Sequence, residues 1–109
     1  MPRISVRGLT VEQVCAISDS LVGELADICG CGTDNFTLEC VQHTAVFAGK
    51  IVAAYPFVEV AWFERGQEVR DKVARSITKH VLELGIAEAE VAFTTYAENA
   101  YYINGVSCE

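Results

Sequence analysis

From Arg3 to Gly8 the chain alternates polar and apolar positions (Arg-Ile-Ser-Val-Arg-Gly), the two-residue period of a strand with one buried face. Thr10 then stands as an N-cap before a run in which Val14, Ile17, Leu21, Leu25 and Ile28 recur every three or four positions. That spacing predicts an amphipathic helix with Asp19, Glu24 and Asp27 mostly on its other side, stopped by Gly30 and Gly32. Residues 36–41 read as a second strand. Between 42 and 55 the pattern weakens: Val46-Phe47-Ala48-Gly49-Lys50-Ile51-Val52 fits a short hairpin or an irregular crossover. Residues 57–63, rich in aromatic and β-branched side chains, predict a third strand, and Arg65-Gly66 a turn. A second helix follows, with Val69, Val73, Ile77, Val81 and Leu84 on its apolar stripe and Arg70, Lys72, Arg75, Lys79 and Glu83 outside, ended by Gly85. Residues 91–96 complete the fourth main strand, and Asn104-Gly105 signals a small edge hairpin in the tail.

The halves repeat. Pro2 and Pro56 open them 54 positions apart, and the helix-ending Gly30 and Gly85 lie 55 apart. Each of these glycines is followed six residues on by the first apolar residue of a strand, Phe36 or Val91. Two copies of one β-α-β unit, about 2–55 and 56–109, are therefore expected within a single domain of 109 residues. A right-handed crossover makes the two strands of each unit parallel. Two folds accommodate this order: a ferredoxin-like sandwich, and two β-α-β units related by a pseudo-twofold axis.

Composition changes the picture in three ways. The net charge of −7 removes the basic footprint that nucleic acid binding requires. No stretch is apolar enough for a membrane helix and no signal-peptide pattern is present, so a cytoplasmic protein without membrane contact is expected. The hydrophobic share of 51% exceeds that of a typical soluble monomer and predicts self-association. Five cysteines cannot all pair within one chain. Cys29-Gly-Cys31-Gly is the one suggestive cluster, but its Cys-x-Cys spacing has no second pair to complete a zinc site, so free thiols and no metal are expected.

Met1-Pro2 followed at once by an alternating strand, within a duplicated β-α-β chain, resembles the tautomerase superfamily, which includes 4-oxalocrotonate tautomerase and macrophage migration inhibitory factor (MIF). The resemblance covers almost the whole chain. The segment from Val58 to Val69 looks like one uncharacterised bacterial family within that superfamily, and the spacing from Phe47-Ala48-Gly49 to Gly66 is similar to that of MIF. The resemblance implies an α/β (α+β) fold: tandem β-α-β units with pseudo-twofold symmetry, and a four-stranded mixed sheet with two helices on one face. It also implies a homotrimer, here expected to pack apolar sheet faces around a channel.

The activity implied is cofactor-independent proton transfer on a small keto–enol or unsaturated acid. Methionine aminopeptidase normally removes Met before Pro, freeing the secondary amine of Pro2 as a general base, and an apolar surrounding lowers the pKa of such an amine. The alternative is that Met-Pro is only a rigid start to a strand. Pro56 is chemically silent because its nitrogen is an amide. Related enzymes hold a substrate carboxylate with arginines, for which a planar two-pronged donor is suited. Arg65 in the turn is the candidate, or else a solvated arginine paired with Glu64 or Glu68. Arg3 and Arg7, on one face of the first strand, and Tyr101 and Trp62 complete the substrate-binding candidates. His43 and His80 read as structural or solvent-facing.

Three positions depart from the superfamily pattern: Cys31 stands where MIF carries a pocket lysine, Ala92 where it has a strand tyrosine, and Thr37 near the second-strand arginine of 4-oxalocrotonate tautomerase. A binding or interaction protein that keeps the fold without the chemistry is therefore the rival reading.

Overall fold

Thr10 opens the first helix with a reciprocal capping box: its hydroxyl accepts from the Gln13 N–H at 3.1 Å and the Gln13 side chain accepts from the Thr10 N–H at 2.9 Å. The computed structural model describes residues 2–109. The expected removal of Met1 lies outside the described residues. The elements are β1 (Arg3–Arg7), α1 (Val11–Cys29), β2 (Thr37–Cys40), β3 (Ala45–Phe47), β4 (Lys50–Val52), β5 (Phe57–Phe63), α2 (Gln67–Leu82), β6 (Glu90–Tyr96), β7 (Tyr102–Ile103) and β8 (Val106–Ser107). Gly30 caps α1 in the left-handed conformation (φ 67°), where a side chain would be strained.

The four-stranded sheet runs β2-β1-β5-β6. β1 pairs with β2 and β5 with β6 in parallel, while β1 and β5 meet antiparallel at the centre. This order is two β-α-β units joined about a pseudo-twofold axis. The duplication reaches individual hydrogen bonds: the Thr37 N–H donates to the Pro2 carbonyl at 3.0 Å, and the Glu90 N–H to the Pro56 carbonyl at 3.2 Å. It extends to the loops as well. Segment 42–55, ambiguous in sequence, forms the β3–β4 hairpin, and the tail forms β7–β8. Ala48-Gly49 (φ 53° and 76°) and Asn104-Gly105 (φ 52° and 80°) have positive φ at both central positions, as a type I′ turn requires.

The core lies on one sheet face. Ile4 and Val6 of β1 and Val58, Val60 and Trp62 of β5 pack with Leu21 and Leu25 of α1 and Val73, Ile77 and Val81 of α2, each at most 2% exposed. Burying each such aliphatic side chain contributes ~1.5–3 kcal/mol, which fixes the face the helices cover. Ser76 and His80 are buried on the same face of α2, with the His80 Nδ1 2.8 Å from the Ser76 carbonyl.

The uncovered face corrects the expectation of an apolar sheet surface. Alternation puts Arg3, Ser5, Arg7, Thr37, Glu39 and Glu59 there, among Phe57, Ala61, Phe63 and Tyr96. Ser5 Oγ donates to Glu39 at 2.7 Å, and Arg7 lies 3.6 Å from Glu59. The exposed apolar surplus sits on the two hairpins instead: Val46, Phe47, Ile51, Tyr102, Ile103 and Val106 are all more than half exposed.

One ion pair ties the helices together. Lys79 Nζ donates to both Glu24 carboxylate oxygens at 2.9 and 3.0 Å. That bond lowers the Glu24 pKa and raises that of Lys79. The pair's contribution is complete between the ordinary values of 4.5 and 10.5. It is lost as pH falls through the depressed Glu24 value or rises through the elevated Lys79 value. Glu24→Gln should therefore lower stability slightly at pH 7 and leave it unchanged at pH 2; urea titrations at the two pH values check this, and an equal loss at both contradicts it.

Candidate functional site at the Pro2 end of the sheet

Continuing the β1–β5 register one residue past Arg3↔Ala61 sets Pro2 opposite Trp62. Both are buried on the helix side of the sheet, where Trp62 meets Phe93 with ring centroids 5.1 Å apart. The Trp62 Nε1–H is buried and has no hydrogen-bond partner among the described residues. A buried donor left unpaired is costly, and a site that tolerates one calls for a reason.

Arg65 covers this indole. Its guanidinium carbon lies 5.2 Å from the Trp62 ring centroid, and its Nη1 donates to the Phe63 carbonyl at 3.1 Å. Neither acidic neighbour takes it. Glu64 turns back to accept from the Gly66 N–H at 2.8 Å, the Arg65 N–H at 3.1 Å and the Arg70 guanidinium at 2.6 Å. The Gly66 N–H foremost, then the Arg70 charge, holds the Glu64 carboxyl below its usual range. Glu68 lies 3.5 Å from Lys72. The Arg65 side chain thus has no carboxylate partner among the described residues, in a chain with 15 acidic side chains. Cys29 at the end of α1 lies near Arg65. Burial pushes the Cys29 thiol up, and the nearby Arg65 charge partly offsets this.

The remaining candidates divide between the two ends of the sheet. Tyr101 meets Phe63 edge-to-face (5.0 Å between centroids) and Tyr96 at a tilt (5.3 Å), an aromatic cluster at the Pro2 end on the uncovered face. Arg3 is exposed on that same face, beside Thr37 and Ala61. Arg7 belongs elsewhere: it ends β1 far from Pro2, next to Glu59 and Phe57. Pro56 sits at the opposite end of the pseudo-twofold. There the position equivalent to Trp62 is Gly8, whose φ is 88° and whose absent Cβ would lie 2.2 Å from the Tyr55 carbonyl oxygen. One end of the duplicated sheet therefore carries an indole and a guanidinium without a carboxylate partner, and the other is filled by backbone.

The Glu64 brace was missing from the sequence reading, although a carboxylate two residues before a helix N-cap without a capping side chain is a readable signal. His43 is exposed, at the edge of an open groove of about 390 Å³ at the Arg7 end. Among the described residues no group of three or more His, Cys, Asp or Glu could hold a metal ion, and no helix is long and apolar enough to cross a membrane.

A family model described as "Domain of unknown function (DUF1904)" matches residues 1–107. The chain belongs to the DUF1904 family. A solved DUF1904 structure from Sebaldella termitidis is 38% identical, covering 98% of this chain and 99% of that one with a TM-score of 0.91. A wild-type fused 4-OT asymmetric trimer is 13% identical over 97% of this chain and 95% of its own, with a TM-score of 0.82. A MIF-like protein from Entamoeba histolytica is 17% identical over 97% of each chain, with a TM-score of 0.74. No curated protein matches. The fold of this DUF1904 chain is thus that of the tautomerase superfamily, as its N-terminus and repeat imply. Of the three departing positions, Cys31 follows the αL Gly30, Thr37 faces outward beside Arg3, and Ala92 is exposed at mid-sheet on the uncovered face of β6, level with Glu59.

Proposed function

We propose that this protein is a cofactor-independent tautomerase or isomerase in which Pro2, freed of Met1, is the general base for a small keto–enol or unsaturated carboxylic acid. The observation that carries the reading is the Arg65 guanidinium, held over Trp62 without a carboxylate partner at the sheet end where Pro2 lies. Arg65 would take the substrate carboxylate with its two-pronged donors, and the unpartnered Trp62 Nε1–H is a second donor at the same end. The buried setting disfavours a charged prolinium and brings the amine toward the working pH. Tyr101 and Arg3 would wall the uncovered side.

We place the protein in the cytoplasm as a homotrimer, like the fused 4-OT it resembles in fold. The projecting apolar hairpins would then lie against neighbours and wall the Pro2 end. The departures at Cys31, Thr37 and Ala92 favour a second reading, a binding protein that keeps the fold alone.

The test is an assay of phenylenolpyruvate ketonisation with wild type and Pro2→Ala, in samples whose intact mass shows Met1 removed and whose light-scattering mass is three times 11.9 kDa. Alanine keeps a free α-amine but changes its rigidity and basicity, so the rate should fall partially or by up to about the 10²–10⁴-fold that a positioned general base contributes. Equal rates in both proteins, or none above buffer, leave the binding protein as the reading.

A further inference from the structure

One carboxylate at the start of α2 has two arginines to choose from. Glu64 directly precedes Arg65, yet its oxygens bond the guanidinium of Arg70, six residues on, one of them at 2.6 Å. The helix sets that choice. Gly66, the N-cap of α2, supplies no capping side chain, and its N–H donates to Glu64 at 2.8 Å. Arg70 is aimed back over the same helix end by Gln67, whose Oε1 accepts from the Arg70 Nη1 at 2.8 Å. Gln67 is oriented in turn by Asp71, which accepts from the Gln67 amide at 2.7 Å. Arg70 is thus a held side chain, 24% exposed. A side chain already held loses less rotamer freedom on pairing, which favours Arg70 over Arg65 as the partner of Glu64.

The consequence falls on Arg65. The acidic residues between 64 and 71 each have another partner: Glu64 has Arg70, Glu68 lies 3.5 Å from Lys72, and Asp71 has Gln67. Without Arg70, Glu64 could keep the Gly66 N–H through one oxygen and turn the other to the neighbouring guanidinium. That internal pair would draw Arg65 from Trp62 and compete with any carboxylate brought from outside. We propose that Arg70 is a positioning residue of the candidate site: it keeps Glu64 off Arg65, so that the guanidinium over Trp62 stays available to an anionic ligand. Arg70 itself touches no ligand. Its role rests on the reading of Arg65 as the carboxylate-binding group.

The reporter is the indole N–H resonance of the nitrogen-15-labelled intact protein, unique because Trp62 is the one tryptophan. Arg65 lies 5.2 Å from that ring, so its departure shifts the resonance. In the ligand-free protein, Arg70→Gln should shift it, while the conservative Arg70→Lys and the double variant Glu64→Gln/Arg70→Gln should leave it near the wild-type position. Titration with 3-phenylpropanoate, followed at the same resonance, should show binding about two- to fivefold weaker in Arg70→Gln, the strength of one exposed ion pair. Arg70→Lys and the double variant should restore it, because lysine still holds Glu64 and glutamine has no charge with which to draw Arg65. A merely structural role for Arg70 would not be rescued by Glu64→Gln. Wild-type resonance and affinity in Arg70→Gln, or a double variant as weak as Arg70→Gln alone, overturns the proposal. No saturable binding to wild type overturns instead the assignment of Arg65 to a carboxylate, while the ligand-free resonances still decide whether Arg70 keeps Glu64 away.

Discussion

Gly8→Ala is expected to destabilise the fold by about 2–5 kcal/mol, the sum of two separate costs. The residue sits at φ 88°, where an L side chain is strained by ~1–2 kcal/mol or more. A Cβ built there falls 2.2 Å from the Tyr55 carbonyl oxygen and 2.9 Å from the Pro56 Cα, both backbone atoms that cannot rotate aside. Relieving that overlap means shifting the end of β1 away from the start of β5, an overpacking cost of ~1–3 kcal/mol. Gly23 is the control. It lies inside α1 with nothing within 4 Å of its absent Cβ, so Gly23→Ala should stabilise by ~0.5–1 kcal/mol through helix propensity. Urea unfolding of both variants measures the contrast. A Gly8→Ala midpoint within error of wild type would show that the two strands part more easily than their packing implies.

Trp62→Ala should cost ~3–5 kcal/mol, a large part of the 5–15 kcal/mol typical of a whole domain. The indole is 1% exposed, packs on Phe93 and is roofed by Arg65, so its removal opens a cavity at the end of the core that the rigid sheet cannot close. The thermal midpoint should fall on the order of 10–20 °C. Trp62→Phe separates packing from polarity. It keeps a ring against Phe93 and removes an N–H that has no partner, so it should cost well under half as much as alanine. A phenylalanine variant as unstable as the alanine one would mean that Nε1 has a partner after all.

Much of this architecture was legible because periodicity reports burial. Ile4 and Val6, or Val73, Ile77 and Val81, repeat at the spacing of the face they bury, and the two prolines mark the copies. The β3–β4 hairpin stayed ambiguous for the opposite reason: Val46, Phe47 and Ile51 all face outward, so no buried face imposes a period on them. The second helix ends at Leu82, and the buried face of α2 proved broader than its apolar stripe, taking in Ser76 and His80. Which arginine stands beside Pro2 was unreadable. Alternation places Arg3 and Arg7 on one face, but their neighbours come from β5, 50 or more residues away in the chain, through a register the pattern does not encode. Arg65 could be located in its turn, yet its freedom from carboxylates depends on Glu64 having chosen Gly66 and Arg70.

The antiparallel seam at the middle of the sheet joins strands farther apart in the chain than either parallel pair does. Arg3 pairs with Ala61 and Arg7 with Phe57, while the parallel pairs Ile4↔Leu38 and Val58↔Val91 close shorter spans. Each parallel pair can nucleate within its own half around one helix. The seam must instead bring together two strands from opposite halves, and loop closure of that length is unrewarded until both are in place. Until it forms, each half presents an unpaired inner strand edge, so joining the halves is the stage most exposed to misassociation between chains.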